Sequence, residues 1–560
     1  MGAILVIQPL QHGDALQILP ALAGLRRLWP DQEVWVLGQG EYANLLRQSQ
    51  FVEGVVGLDF QLSQATPQAF EIWAQAAMDV LPLRKWRGVV NLSQSAPAGR
   101  LADLIGAQWK AGMLVQRDGT QVLADDPTRL LFGAIQTRPF ARIHLGDFYR
   151  LMLRVDRWVP EILFSPTRGE QSLVSELLRD RGWDGREPLL VFQLGGSTSN
   201  RLWPVESFAR VGREVHAWGL RPVLIGPPEE RALAQAYFQL APEGVIDLVG
   251  CLPTDALPAL FHKACAMVAT DVGAAHIAAH CGCKVVGIYF STAWVHETGP
   301  YGEDHWVWQV ELPCAPCFDR TACVERRCAR IVRPEDVLWT LTEAGLAPSS
   351  KKTRPPSSPL ARLFRSRRTD LGLLRFEPVY PAGDTVQDRL AVAVSEAAWL
   401  VLTGTRSRNT GDWARDGGHR IAPELVASAE ALRRIGCLAR AAEQECRVIL
   451  RMLRQKAQLG DVKRRNDRLR ALDEQIASTA EDSLLLRGYL STALRTLPGH
   501  TPTEMAQEAA HVYRRTAEIA ELAVQKLLET CVASEGAAAE MGGKLLGARK
   551  HEEPAPQATT

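Results

Sequence analysis

Short apolar runs that alternate with amphipathic segments dominate the first 345 residues of the chain. Four of these runs have the length and composition of buried strands, at Ala3 to Ile7, Glu33 to Leu37, Gly54 to Leu58 and Gly88 to Leu92. Between the first two runs, leucines recur at helical spacing, at Leu16, Leu19, Leu22, Leu25 and Leu28. This alternation of strand and helix predicts a parallel sheet that is covered by helices.

The alternation begins again after a less regular stretch at about residues 110 to 185. Further strands are predicted at Leu189 to Leu194, Pro222 to Ile225, Val245 to Leu248, Ala266 to Ala269 and Lys284 to Tyr289. We therefore predict an α/β fold with two doubly wound parallel-sheet domains, at residues 1–165 and 166–345. The carboxyl ends of their strands would face each other across a cleft, where such sheets bind ligands.

The pattern changes after residue 345. Residues 346–384 are rich in Pro, Ser and basic side chains, and we interpret them as an unstructured linker. An all-α domain is predicted at residues 385–534 from four long segments, Leu390 to Leu402, Pro423 to Leu459, Asp461 to Leu497 and Thr503 to Cys531. The polar tail at residues 535–560 is expected to be disordered.

Composition narrows the classes of partner and the compartment. The chain has 560 residues, too many for one core, and 64 basic against 63 acidic side chains leave a net charge of only +1. That balance argues against nucleic acid as a partner. The N-terminus lacks a secretory signal and no stretch is apolar enough to span a membrane, so we expect a cytoplasmic protein whose eleven cysteines are reduced.

The predicted linker has a strong local charge. Seven basic residues fall within 351–368 without an acidic residue among them, and Leu360, Leu363 and Phe364 lie between them. Such a segment either docks peripherally on an anionic membrane surface, here the inner membrane, or is a solvated linker.

The first candidate chemical motif is His12-Gly13-Asp14, which directly follows the first predicted strand. Gly13 allows a tight turn or the close approach of a ligand, and Asp14 can accept a proton in the cleft. Alternatively, Asp14 only caps the helix that follows.

The second motif follows the first strand of the second sheet and runs from Gly195 to Pro204. Small residues let backbone N–H groups approach an anion, Ser197 and Thr198 add hydroxyl donors, and Arg201 adds a permanent positive charge suited to phosphate. Pro204 would begin the next helix. An ordinary turn rich in Gly and Ser is the alternative.

The third motif, Thr270 to His276, follows the strand that ends at Ala269. The next helix would present its N-terminal amides to the cleft, which suits a diphosphate. Asp271 can accept hydrogen bonds from sugar hydroxyls. The alternatives are a capping Asp271 and a His276 that is simply buried and satisfied.

Together, Gly13-Asp14, Gly195 to Pro204 and Asp271 to His276 resemble the motifs of family-nine glycosyltransferases, the group that includes the lipopolysaccharide heptosyltransferases. Thr298 to Gly302 is similar to a further segment of that family. The resemblance covers about residues 1 to 345, in the family's order and spacing. It implies a GT-B fold and an inverting, metal-independent transfer from ADP-heptose, or a related nucleotide sugar, with no cofactor.

The resemblance also implies a role for each matching residue. Asp14 would be the general base for the acceptor hydroxyl, with Gly13 beside it on the acceptor side. The donor would be bound by Ser197, Thr198, Arg201, Glu230, Asp271, Gly273 and His276. Within that set Glu230 would contact the nucleoside, with Glu229 an equal candidate. The acceptor would be a lipid-linked glycan such as lipopolysaccharide core, or a protein recruited by the helical domain.

Three positions depart from the family pattern. Gln8 stands where many members have Lys, Arg201 replaces Lys, and Val272 replaces Thr. These departures keep open a nucleotide-sugar binder that does not catalyse transfer.

A dinucleotide-binding fingerprint at Gly38 to Ala43, with Asp59 about twenty residues on, favours an NAD-dependent oxidoreductase instead. The fingerprint follows the second strand rather than the first, so we rank this alternative below a transferase.

Four cysteines form a compact cluster, at Cys314, Cys317, Cys323 and Cys328. Four thiolates can bind a soft metal such as Zn²⁺, which here would be structural rather than catalytic. Their spacing is not that of paired Cys-x-x-Cys ribbons, so metal binding and free thiols both remain open.

Overall fold

In the computed structural model, the chain forms two compact units, Met1–Thr128 with Arg142–Gly383, and Arg129–Ala141 with Asp384–Thr560. The structure describes residues 2–8, 16–38, 42–58, 66–156, 164–196, 198–317, 323, 325–348, 358–381, 384–404, 423–479, 484–497 and 501–532. Asp14, Gly13 and Ser197 lie outside these ranges, as do Asp59 and the tail from 533 onward.

The first unit contains two sheets. The strands of the first sheet are β1 (Ala3–Gln8), β2 (Val34–Gly38), β3 (Gly54–Gly57), β4 (Trp86–Asn91), β5 (Ala107–Val115) and β6 (Gln121–Leu123), in the order β3-β2-β1-β4-β5-β6. All neighbours pair in parallel except β5 and β6. The helices of this part are α1 (Leu19–Leu28), α2 (Tyr42–Gln48), α3 (Pro67–Val80), α4 (Ala96–Leu104), α5 (Asp126–Gln136) and α6 (Leu145–Met152).

The second sheet has the strands β7 (Leu189–Gln193), β8 (Arg221–Ile225), β9 (Ile246–Asp247), β10 (Ala264–Ala269), β11 (Lys284–Tyr289), β12 (Trp306–Val310), β13 (Ala361–Arg368) and β14 (Leu374–Tyr380). Their order is β14-β13-β12-β11-β10-β7-β8-β9, and β7 to β12 pair in parallel. The helices are α7 (Arg168–Asp180), α8 (Val205–Ala217), α9 (Arg231–Leu240), α10 (Leu257–Phe261), α11 (Gly273–His280), α12 (Val295–Thr298) and α13 (Pro334–Glu343).

The central strands explain why the sequence folds this way. All six residues of β1 are buried, as are Leu190, Val191 and Phe192 of β7, because helices cover both faces of a parallel sheet. In each sheet the strand order reverses once. The reversal lies between β1 and β4 in the first sheet and between β7 and β10 in the second. Ligands bind at such switch points, beyond the carboxyl ends of the strands.

The prediction of an unstructured linker at 346–384 is wrong for β13 and β14, an antiparallel hairpin that extends the second sheet beyond β12. Leu363 and Phe364 are buried in it. The basic side chains of β13 meet carboxylates that lie far away in sequence, so no local pattern reveals the strand. Arg362 lies 3.5 Å from Glu311, and Arg365 and Arg367 lie 2.6 and 2.9 Å from Asp304.

The second unit is helical, as predicted, with α14 (Val386–Thr403), α15 (Pro423–Arg454), α16 (Leu459–Ser478), α17 (Leu484–Arg495) and α18 (Pro502–Val532). The single helix predicted from Asp461 to Leu497 is wrong, since one helix ends at Ser478 and the next begins at Leu484. The C-terminal part of α5 also belongs to this unit, where Gly133 packs closely on Gly488. None of the described helices is long and apolar enough to cross a membrane.

Candidate active site

The loop after β7 is anchored at its far end by a buried tryptophan. Trp203 donates from its indole nitrogen to the Val332 carbonyl at 2.9 Å and packs edge-on against Phe208. A short 3-10 turn, Ser199–Arg201, lies between the glycines and this anchor, and Pro204 stands one position before α8 rather than in it. The anchor therefore holds Arg201 at the carboxyl end of β7.

Arg201 reaches the ends of two further strands. Its Nε donates to the Thr292 hydroxyl, after β11, at 2.7 Å, and its Nη1 lies 3.3 Å from an Asp271 carboxylate oxygen, after β10. Its side chain is a quarter exposed, at 25%. Its other terminal nitrogen has no hydrogen-bond partner among the described residues, so the guanidinium keeps a donor for a ligand. The cluster lies at the switch point between β7 and β10.

Asp271 is not a helix cap. The N-cap of α11 is Val272, which offers no side-chain hydrogen bond, so the first amides of α11 from Gly273 have no side-chain cap. Asp271 instead contacts Arg201 and the imidazole of His276, whose Nε2 lies 3.3 Å from its other oxygen. A carboxylate held between a cation and an imidazole is fixed in orientation.

His276 is buried and hydrogen-bonded at both ring nitrogens. Its Nδ1 lies 3.0 Å from the amide nitrogen of Gln17, in the turn before α1. Gln17 precedes the helix between β1 and β2 of the first sheet, and His276 lies in α11 beside the second sheet of the same unit. His276 therefore joins the first sheet to the Asp271–Arg201 pair of the second.

The acidic turn after β8 contacts the loop after β7 at Gly195. Glu230 accepts hydrogen bonds from the Gly195 amide and from the Gln193 side chain, both at 3.2 Å. A Cβ atom at Gly195 would come within 2.0 Å of the Glu230 carboxyl carbon, so glycine is required there. Burial, and then the neighbouring Glu229, raises the pKa of Glu230 above its usual range. Since Glu229 is exposed, the geometry favours Glu230 of the two candidates.

Thr198 is exposed beside this loop, where its hydroxyl is accessible. At the corresponding end of the first sheet, Gln8 closes β1. Its amide nitrogen donates to the Tyr149 hydroxyl at 3.0 Å, while its amide oxygen is buried and has no partner within the described parts of the chain. Both residues border the motifs that the sequence predicted, although Gly13, Asp14 and Ser197 themselves lie outside the described residues.

The dinucleotide fingerprint lies only partly within the described residues, whereas the four cysteines of the cluster all lie within them. Residues 39–41 of the dinucleotide fingerprint and Asp59 lie outside the described residues, between β2 and α2 and after β3. In the cysteine cluster, Cys314 and Cys323 are exposed, and Cys317 and Cys328 are half-buried. No group of three or more metal-ligating side chains occurs in the described ranges. Burial, and then Cys317, raises the pKa of Cys328 above its usual range.

Sequence reasoning missed Thr292, Gln17 and Gln193. Thr292 was detectable as a polar residue just after a predicted strand, and Gln17 as a polar residue among the leucines of α1. Gln193 is the last residue of a strand, where polar residues often face the ligand end of a sheet.

Comparisons with known proteins bear on the family and the fold. Residues 169–327 match the model of glycosyltransferase family 9 (heptosyltransferase). No curated protein matches the chain. Among solved structures, the family 9 glycosyltransferase from Veillonella parvula is 17% identical, with a TM-score of 0.51, over 61% of this chain and 97% of that one. It shows the fold, a GT-B-like arrangement of two α/β sheets, as the sequence predicted.

Two Escherichia coli proteins are more distantly similar in structure. ADP-heptose lipopolysaccharide heptosyltransferase II is 15% identical, with a TM-score of 0.42, over 61% of this chain and 98% of that one. Heptosyltransferase WaaC with ADP is 14% identical, with a TM-score of 0.40, over 54% and 91%.

Proposed function

We propose that this chain, which contains a glycosyltransferase family 9 domain at residues 169–327 and is a glycosyltransferase, transfers a heptose from ADP-heptose to a glycan acceptor such as lipopolysaccharide core. The observation that carries the donor class is the meeting of Arg201, Asp271 and Thr292 at the ends of three adjacent parallel strands. A fixed guanidinium beside uncapped helix amides suits a diphosphate.

The residues of this cluster divide the work of transfer. Negative charge develops on the departing diphosphate, and Arg201 together with the Gly273 end of α11 would stabilise it. Thr198 and Ser197 would add hydroxyl donors. Asp271, held by Arg201 and His276, would bind the sugar hydroxyls. Glu230, which accepts a hydrogen bond from the Gly195 amide in the loop after β7, would contact the nucleoside.

Asp14 is the proposed general base. It follows β1 by six residues and precedes Gln17, which contacts His276, by three. The carboxylate would take the proton from the acceptor hydroxyl as that oxygen attacks the anomeric carbon from the face opposite the diphosphate, which inverts the anomeric centre. No metal or cofactor has a role in this proposal.

The acceptor is the least constrained part of the proposal. A protein acceptor recruited by the helical unit is an alternative that rests on the sequence alone. We also propose peripheral membrane contact through 351–368. Arg362, Arg365 and Arg367 of that segment pair with carboxylates of the second sheet, so fewer of its basic groups are available to a membrane.

A thermal-shift screen with ADP-heptose, ADP, UDP-sugars and NADH tests the donor. A ligand that binds only the folded chain stabilises it by about 2.7 kcal/mol at one hundred times its Kd. We expect stabilisation by ADP-heptose and ADP and none by NADH. Stabilisation by NADH alone would favour the dinucleotide alternative and contradict the proposal.

A further inference from the structure

A chain of side-chain contacts runs from the first sheet to the donor site. Gln17, in the turn before α1, is completely buried, and its amide nitrogen lies 3.0 Å from His276 Nδ1. The Nε2 atom of the same ring lies 3.3 Å from Asp271, whose other oxygen pairs with Arg201. Gln17, from the turn before α1, is therefore connected to the Arg201–Asp271 pair through one imidazole ring.

The hydrogen bond from Gln17 bears on whether Nδ1 of the ring carries a proton. An amide nitrogen only donates, so Nδ1 must accept and must carry no proton. The ring then has its one proton on Nε2, directed at the Asp271 carboxylate. In general, the partner of one imidazole nitrogen fixes the tautomer at the other. In this orientation Gln17 selects the neutral Nε2–H form of His276.

The opposite orientation of the same amide selects a different form. With Oε1 against the ring, Nδ1 must donate, while Nε2 must still donate to Asp271, so the ring carries two protons and a positive charge. The Gln17 Oε1 atom is buried and has no partner in the described parts of the chain. Rotating the amide would bring Oε1 against the ring and leave the amide Nε2 without a partner in its place. The number of hydrogen bonds to the ring would not change.

Glutamine is the one side chain of this length that serves both forms. Glutamate only accepts at Nδ1 and would hold the ring charged. Methionine has a similar volume but neither donates nor accepts strongly, so it would leave Nδ1 without a partner.

Three other buried histidines, His144, His280 and His305, interact electrostatically with His276. Burial lowers the pKa of His280 and of His305 to about 3, and that of His144 to about 4. These three rings are therefore neutral near pH 7. Among the described residues, Asp271 contacts the ring of His276 directly, and Arg201 contacts Asp271.

We propose that Gln17 is a positioning residue of the donor site, whose amide sets the protonation state of His276 and turns over when a diphosphate anion binds beside Asp271 and Arg201. The added negative charge favours the imidazolium, and one proton from solvent binds at Nδ1 with no other bond made or broken. The part of this inference that concerns diphosphate binding rests on the proposed function. The part that concerns the ring without ligand does not.

Nitrogen-15 NMR of the imidazole rings tests the resting state first. The His276 signals are assigned by their loss in His276→Gln. At pH 7 and without ligand, we expect a proton on Nε2 alone in the natural chain and in Gln17→Met, and protons on both nitrogens in Gln17→Glu. Gln32→Met replaces another buried glutamine, distant from the site, and should leave the natural pattern unchanged.

Adding ADP tests the turnover. We expect the natural chain to gain the second ring proton. Gln17→Met should stay singly protonated, because a proton on Nδ1 would have no acceptor there, and it should bind ADP roughly tenfold more weakly. A proton on Nδ1 alone in the free natural chain, or a singly protonated ring in Gln17→Glu, would overturn the role of Gln17. So would a neutral ring in a natural chain that has bound ADP.

The failure of the proposed function looks different. If ADP changes no signal of the site in any variant, the donor assignment fails. The ligand-free spectra of the natural chain, Gln17→Glu and Gln17→Met still decide whether Gln17 sets the proton position. If Gln17→Glu does not fold, a proton on Nδ1 in the ligand-free natural chain still contradicts the proposal.

Discussion

The second sheet and the helical unit both pair arginines with carboxylates, but they pair them differently. At the ends of β7, β10 and β11, Arg201 and Asp271 share one contact at 3.3 Å, and the guanidinium keeps a donor without a partner among the described residues. In the helical unit, Glu443 meets both Arg447 and Arg514, at 2.6 and 2.8 Å. Polar groups that meet at strand ends stay available to a ligand, whereas those on packed helices satisfy one another.

This contrast predicts two kinds of mutant. Substitutions at the strand ends should reduce transfer while the chain stays folded. Substitutions at buried pairs of the helical unit should reduce stability while the donor still binds. The predictions below test that separation, from the largest expected effect to the smallest.

The largest effect is expected for Asp14→Asn, which removes the proposed base without changing the size of the side chain. Transfer should fall by roughly a hundred- to ten-thousand-fold, the usual contribution of general-base assistance. Donor binding, measured by calorimetry, should persist. Asp79→Asn changes an exposed acid on α3 and is the control. Transfer at the parental rate would show that Asp14 is not the base.

The next effect is on stability. Lys526 and Glu396 form an ion pair at 3.4 Å in which each side chain is only 6% exposed. Lys526→Met removes the ammonium group that faces the buried Glu396 carboxylate and should lower the free energy of unfolding by about 3–5 kcal/mol. The double variant Lys526→Met/Glu396→Leu should recover most of that loss in denaturant titrations. An equally unstable double variant would argue that packing, and not charge, sets the cost.

Arg201→Ala should weaken stabilisation of the leaving diphosphate. Losing one preorganised donor of this kind costs about a hundred- to a thousand-fold in kcat. Arg201→Lys keeps the charge but not the contact geometry and should fall between. Arg213→Ala removes an exposed arginine on α8 and should leave steady-state kinetics unchanged. Equal kcat values in the two alanine variants would exclude a role for Arg201 in transfer.

The smallest effect concerns pH and stability. Because burial raises the pKa of Glu230, the folded chain binds its proton more strongly than the unfolded chain, so this residue costs stability once pH rises past its ordinary pKa. Glu230→Gln should therefore raise Tm at pH 7, by about 2 °C or less, and change it little at pH 4. Donor affinity should fall at the same time. A lower Tm at pH 7 would contradict this assignment.

Much of the fold could be predicted because it follows from local patterns. The buried runs at β1 and β7, and the small residues after β7, are visible in the sequence as apolar strands and as a loop that lets a backbone approach an anion. The break after Ser478 was not visible, because residues on both sides of it are good helix formers. The hairpin of β13 and β14 was missed because the carboxylates that pair with its arginines lie far away in sequence, so the segment looked like an unpaired basic linker.

The site was predictable only in part, for a similar reason. Arg201 and Asp271 each follow a predicted strand, so parallel pairing places them together. Gln17 contacts His276 across 259 positions of sequence, between two sheets, and no local signal encodes that contact. The distinction between a capping Asp271 and a paired one also needed the structure, since it depends on where α11 begins.

Phosphorus-31 NMR of the natural chain mixed with ADP-heptose, in the presence of a chelator, tests the central claim most directly. The measurement follows the two diphosphate resonances of the donor as heptose is transferred to an acceptor or to water. We predict that free ADP accumulates with the natural chain and that Arg201→Ala slows its release at least a hundredfold. Bound ADP-heptose that stays intact, with lipopolysaccharide core present as acceptor, would contradict the account and leave a binding protein in its place.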